Sequence, residues 1–170
     1  MPERVLVAYA TKYGSTTGIA RRIGEVLSSH ALDVDVQLVR PDLRIAGYGS
    51  VILGSSVYIG RARKEARIFL RSNEQALASM PVWLFSSGPT DDSEFDERLD
   101  GWHVPGWVKE TVDRIAPRDR IVFGGAMDPG KMSGLERWII RRIGAATADV
   151  RDWDRISAWA EKVAAEIERE

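Results

Sequence analysis

Four short, continuously apolar runs of β-forming residues, separated by stretches of helical spacing, constrain this chain more than any other feature. The runs cover residues 5–10, 50–54, 82–85 and 120–124. Runs this short and unbroken suit strands covered on both faces. A fifth run, 34–39, alternates polar and apolar residues and reads as an edge strand. Between the runs, Ile19, Ile23, Val26 and Leu27 share one helical face after Thr16. Ala66, Phe69, Leu70, Asn73 and Leu77 do the same after Arg61, and Val108, Val112 and Ile115 mark a shorter helix. Ile156, Trp159, Ala160, Val163, Ala164 and Ile167 form a C-terminal amphipathic pattern. Strands alternating with helices build a parallel sheet with helices on both faces. The expectation is one α/β domain over residues 1–170, with an extra helical segment around 131–146.

Composition removes several function classes. The formal net charge is −1, which disfavours a basic nucleic-acid binder. There is no cysteine, which excludes disulfides, thiolate metal sites and cysteine nucleophiles. His30 and His103 are the only histidines, so no metal site is expected. No run of about 20 apolar residues is present for a membrane span. The amino end enters a strand pattern without a signal-peptide layout, so a cytoplasmic location is expected.

In open parallel sheets, ligands sit beyond the C-terminal ends of the strands. After the first strand comes Thr11-Lys-Tyr-Gly-Ser-Thr-Thr17, leading into a helix. A helix start offers unpaired N–H groups and the positive dipole end, a match for phosphate. The hydroxyls of Thr11, Ser15, Thr16 and Thr17 can donate, Gly14 permits a close turn, and Lys12 is the loop's one charge. The competing reading makes Ser15 or Thr16 a helix cap and nothing more. The third strand runs into Gly54-Ser-Ser-Val-Tyr-Ile-Gly60, where Tyr58 or Ile59 is placed to cover a planar ring. The fourth ends in Phe85-Ser-Ser-Gly-Pro89, followed by an acidic stretch, 90–100, that reads as a solvated loop.

The stretch 5–27, with its T-x-x-G-x-T core at Thr11–Thr16, resembles the phosphate loop of the flavodoxin superfamily. That family's common form is [ST]-x-T-G-x-T, and Tyr13 stands here in place of the middle Thr. The resemblance implies an open doubly wound five-stranded sheet of order 2-1-3-4-5 and a noncovalent FMN. By position it implies that Thr11, Lys12, Tyr13, Gly14, Ser15 and Thr16 hold the phosphate. Ser55, Ser56, Val57, Tyr58, Ile59 and Gly60 would then lie along the ring. Ser86, Ser87, Gly88 and Pro89 would wrap its pyrimidine side, where donors near N1 raise the potential.

Gly125-Ala-Met-Asp-Pro-Gly-Lys131 satisfies G-x-x-x-x-G-K. Met132 occupies the position where a magnesium-binding hydroxyl is needed, and the motif follows the last strand, so nucleotide hydrolysis is not expected. Gly124-Gly-Ala-Met-Asp128 with the helical pattern 135–143 is similar instead to the menaquinone-dependent protoporphyrinogen oxidase group of short flavodoxin-like enzymes. The cadence of 56–69 and Met80-Pro81 agrees. The inserted segment carries Leu135, Trp138, Ile139 and Ile143 beside Arg137, Arg141 and Arg142. The expectation is that this stripe packs on the domain; the alternative is peripheral contact of 131–146 with an anionic membrane at its inner face. Arg61, Arg63, Lys64, Arg67 and Arg71 form a basic stretch suited to an anionic substrate such as a porphyrinogen propionate, or a solvated helix face.

The function this implies is an FMN-dependent oxidoreductase of heme biosynthesis, passing electrons from an organic substrate through FMN to a quinone. The alternatives are a soluble electron-transfer flavodoxin and a flavodoxin-like domain without FMN that acts in binding or regulation. No catalytic acid or base is assigned; Tyr58, His103 and the arginines are the candidates nearest the site.

Overall fold

The computed structural model describes residues 3–58, 61–88, 106–126, 128–143 and 149–170. The strands are β1 (Arg4–Ala10), β2 (Asp33–Leu38), β3 (Ser50–Tyr58), the two-residue β4 (Arg61–Ala62), β5 (Val82–Gly88) and β6 (Asp119–Gly124). The helices are α1 (Ser15–Ser29), α2 (Lys64–Ser72), the single turn α3 (Glu74–Leu77), α4 (Gly106–Ile115), α5 (Gly134–Ile143) and α6 (Trp153–Ile167).

The sheet runs β2-β1-β3-β5-β6 with every one of these pairs parallel. With the short β4 set aside, this is the order 2-1-3-4-5. Val5, Leu6, Val7 and Ala8 of the central β1 have no exposed surface. They alternate between two cores. Leu6 and Ala8 join Leu53, Leu84, Ala66, Phe69, Leu70, Val112 and Ile115 on the α2/α4 face. Val5 and Val7 join Ile19, Ile23, Leu27, Ile156, Trp159 and Val163 on the α1/α6 face. Each fully buried aliphatic side chain contributes about 1.5–3 kcal/mol. The polar contact from Arg22 on α1 to the Ser157 hydroxyl on α6 (2.9 Å) is exposed, so burial fixes the α1/α6 packing. The edge strand β2 is only half-buried, as its alternation requires.

Three expectations are corrected. The helix after Arg61 does not run unbroken to Leu77. The Phe69 carbonyl accepts both the Asn73 backbone N–H (3.1 Å) and its side-chain amide (2.9 Å), and α2 ends there. Second, residues 55–58 and 86–88 belong to strands, because the β3/β5 ladder continues through Ser55–Ser86 and Ser56–Ser87. β3 then folds back in an antiparallel pairing of Val57 with Ala62 and Tyr58 with Arg61. Third, the stripe of the inserted segment does not pack down at Leu135 and Trp138, which are 68% and 56% exposed. The helix itself spans Gly134–Ile143, after a 3-10 turn at Pro129–Lys131; residues 144–148 lie outside the described residues.

The parallel strands bring the ends of β1, β3, β5 and β6 to one edge. Beyond β6 the chain leaves through Gly125, whose N–H donates to the Gly88 carbonyl (2.6 Å). It returns through Val150, whose N–H donates to the Gly125 carbonyl (3.0 Å). The excursion between them lies against the loop after β1.

Candidate functional site

The loop after β1 is built around Gly14, whose φ of +89° falls in the left-handed region that glycine enters without a side-chain penalty. The Thr11 hydroxyl oxygen accepts from the Gly14 N–H (3.0 Å), bracing the turn. Gly14 is also the N-cap of α1, so no side chain caps the helix. The reading of Ser15 or Thr16 as a plain cap therefore fails. Ser15 is the helix's first residue, and the amino end keeps N–H groups available to an anion.

Thr16 is fully buried, and its hydroxyl is hydrogen-bonded to the Ser87 hydroxyl on β5 (2.8 Å). The pair ties α1 to the sheet at the end of β5. Ser56 is the register partner of Ser87, so both side chains leave the sheet on the α1 face. The Ser56 hydroxyl is buried and has no hydrogen-bond partner among the described residues. Ser55 faces the other way and accepts from the Arg63 N–H (2.8 Å). Ser86 and Gly88 are buried in β5, and Val57 in β3. Tyr58 is placed only as the last residue of β3. Ile59, Gly60, Pro89 and His103 lie outside the described residues.

Tyr13 is no simple replacement for a loop hydroxyl. Its ring sits against Lys12, whose ammonium is 5.1 Å from the ring centre and pairs with Glu136 on α5. Burial raises the Tyr13 phenol above its usual range. The Lys12 ammonium, with help from the Ser133 N–H and the Tyr13 hydroxyl, holds the Glu136 carboxyl down to about 2. This cluster fastens α5 to the loop.

A cavity of about 380 Å3 opens over the same turn, lined by Tyr13, Gly14, Ser15, Ala126, Asp128, Lys131, Asp149 and Arg151. Its far wall comes entirely from the chain after β6. Sequence reasoning missed that wall; the one available signal was the glycine-lysine motif ending at Lys131. That motif forms no loop-to-helix phosphate cradle of its own. Met132 is buried, 4% exposed, and α5 begins only at Gly134. Among the described residues no cluster of histidines and carboxylates could hold a metal ion.

Arg63 and Arg67, at the start of α2, each carry a buried Nε with no hydrogen-bond partner among the described residues, while a terminal nitrogen of Arg63 pairs with Glu65 (3.2 Å). Lys64 and Arg71 are exposed.

The sequence profile of the flavodoxin domain matches residues 6–154. This chain belongs to the flavodoxin domain family. No curated protein matches it. Rubredoxin oxygen:oxidoreductase from Desulfovibrio gigas is similar in structure, with a TM-score of 0.64 at 12% identity over 99% of this flavodoxin domain. The domain spans 37% of that protein's length. A WrbA-like flavodoxin protein from Agrobacterium tumefaciens matches with a TM-score of 0.60 at 12% identity, over 98% of each chain. A flavodoxin from the domain Archaea gives 0.58 at 15% identity, over 97% of this chain and 99% of that one. At such identities the likeness establishes the fold, and the flavodoxin domain's chemistry has to be read from its own residues.

Those residues fit a phosphorylated flavin on two counts. The uncapped amino end of α1 matches a phosphate, and the orphaned Ser56 hydroxyl beside the Thr16–Ser87 pair matches a polar chain running from that phosphate across the strand ends.

Proposed function

We propose that this flavodoxin domain binds one FMN noncovalently and serves as a protoporphyrinogen oxidase-like oxidoreductase of heme biosynthesis, with an organic electron donor and a quinone acceptor. The observation that carries the FMN reading is the cavity over the uncapped turn at Gly14. The turn residues Thr11 to Ser15 would face the phosphate, and the buried Thr16 would brace the turn from behind through Ser87. Ser56 would bond the ribityl chain, and the ends of β3 and β5, from Ser55 to Tyr58 and from Ser86 to Gly88, would flank the ring. When bound, FMN supplies the redox chemistry, taking up reducing equivalents and handing them on.

The choice of substrate rests on the likeness of 124–143 to the protoporphyrinogen oxidase group. It is supported by the unsatisfied Nε groups of Arg63 and Arg67, which match carboxylates of an anionic substrate. The reading includes peripheral contact of 131–146 with an anionic membrane, where a quinone acceptor resides. The exposed Leu135 and Trp138 support it.

Two measurements test the reading. Titration of the purified protein with FMN should give a 1:1 complex with a perturbed visible spectrum, and FMN should bind more tightly than riboflavin. The complex should then oxidise protoporphyrinogen in a quinone-dependent manner. A complex that instead reduces only a partner protein identifies an electron carrier, and a protein that binds no flavin identifies the binding or regulatory alternative.

A further inference from the structure

The cavity at Gly14 holds charges that a helix end alone does not explain. Arg151 and Lys131 both reach it from the chain after β6. Asp149 takes up most of Arg151: its two carboxylate oxygens accept from Nε (2.9 Å) and Nη2 (2.6 Å), leaving Nη1 3.5 Å from the Ser15 carbonyl. Lys12 is matched by Glu136. The Asp128 carboxylate is turned back onto its own 3-10 turn, accepting from the Gly130 N–H (2.9 Å).

Lys131 is different. Among the described residues no carboxylate pairs with it. Its ammonium is held by one long contact, donating to the Tyr13 carbonyl at 3.5 Å. It stands 3.9 Å from where a side-chain carbon on Gly14 would lie, over the open side of the turn. A cation left unmatched at the amino end of α1, on the wall of a cavity, is aimed where an anion would sit.

We propose that Lys131 is an anion ligand of this site, reaching from the segment after β6 to contact a phosphate monoester bound at the turn after β1. This rests on the FMN reading above and adds to it a residue from a distant part of the chain. The lysine of the glycine-lysine motif thus meets a phosphate on a neighbouring loop, not on its own. The consequence is a phosphate grip that depends on charge. FMN binding should weaken as salt rises, whereas a grip of neutral hydroxyls and amides alone should be far less salt-sensitive.

The test compares Lys131→Gln and Lys131→Arg with the wild type, titrating FMN and riboflavin at low and high salt. Lys131 is exposed, so neither change disturbs a core. Loss of one charge-assisted hydrogen bond corresponds to about a 10- to 100-fold weaker FMN complex. Lys131→Gln should show that loss, keep riboflavin within about twofold, and flatten the salt dependence. Lys131→Arg should recover most of the FMN affinity. Equal loss for both flavins, or unchanged FMN affinity, overturns the proposal. If the wild type binds neither flavin, the FMN reading fails by itself, and inorganic phosphate takes over as the probe. A phosphate-dependent rise in Tm that Lys131→Gln abolishes upholds Lys131 as an anion ligand, and a rise of equal size or no rise refutes it.

Discussion

Thr16 shows how one side chain's chemistry can be legible while its geometry is not. The T-x-x-G-x-T spacing marked a hydroxyl at the start of a helix, and one is there. Its partner, Ser87, lies 71 residues away, and only the parallel pairing of β3 with β5 brings that end of the sheet under α1. Deleting one member of this buried pair strands the other, at about 1–3 kcal/mol; removing both restores a consistent environment. Thr16→Val and Ser87→Ala should each lower the urea midpoint, and the double variant should lose clearly less than the sum of the two. A strictly additive cycle would show that the hydroxyls do not interact. Gly54 makes the companion case in the same sheet. A side-chain carbon there would lie 1.9 Å from Phe85 Cζ, so the ring of the neighbouring strand occupies the space that the glycine leaves. Gly54→Ala should destabilise by about 1–3 kcal/mol or more, read by thermal unfolding. Phe85→Leu in the same chain should recover part of the loss.

At the scale of elements, continuous apolar runs located β1, β3 and β5 because these central strands are buried on both faces, a shorter run located β6, and polar–apolar alternation located the half-buried edge strand β2. The C-terminal ends of β3 and β5 read as loops in the sequence but belong to the strands. Ser55, Ser56, Ser86 and Ser87 are polar, but the ladder extends through them because the hydrogen-bonding backbone is indifferent to the side chain. The break at Asn73 was invisible for the opposite reason: a side-chain amide bonding the Phe69 carbonyl overrides an apolar spacing that runs on to Leu77. Helix pairing, likewise, was written in apolar faces, but its polar latch was not. His30 closes α1 and places its Nε2 2.6 Å from Glu161 and its Nδ1 3.1 Å from Glu168, on and just past α6. Glu161 first, then Glu168, raise the imidazole above its usual 6.5. A raised folded-state value stabilises fully below about 6.5, and the contribution is lost as pH climbs through the folded value. Urea midpoints should therefore fall as pH rises above about 6.5 in the wild type, and His30→Gln should flatten that fall. Identical slopes in the two proteins would remove His30 from the α1–α6 junction.

The whole molecule divides its charge unevenly, and that division makes the membrane proposal testable. Net charge is −1 overall, but α5 exposes Arg137, Arg141 and Arg142. Its single acid, Glu136, is turned inward to Lys12. Leu135, Trp138 and Arg142, at positions i, i+3 and i+7, share a face, and the Arg142 guanidinium lies 5.2 Å from the Trp138 ring centre. An exposed indole and leucine flanked by arginines match the interfacial zone of an anionic bilayer, where each cation near the surface adds about 1 kcal/mol. The protein should co-sediment with phosphatidylglycerol vesicles and not with phosphatidylcholine vesicles, releasing at high salt. Replacing the three arginines with glutamine should lower partitioning by about 100-fold, from three such increments. Trp138→Ala should weaken binding without changing its salt dependence, since it removes apolar contact and leaves the charges in place. Partitioning that survives both changes would place the contact elsewhere on the molecule, and an absence of binding to either vesicle would remove membrane docking from the proposed function while leaving the flavin site untouched.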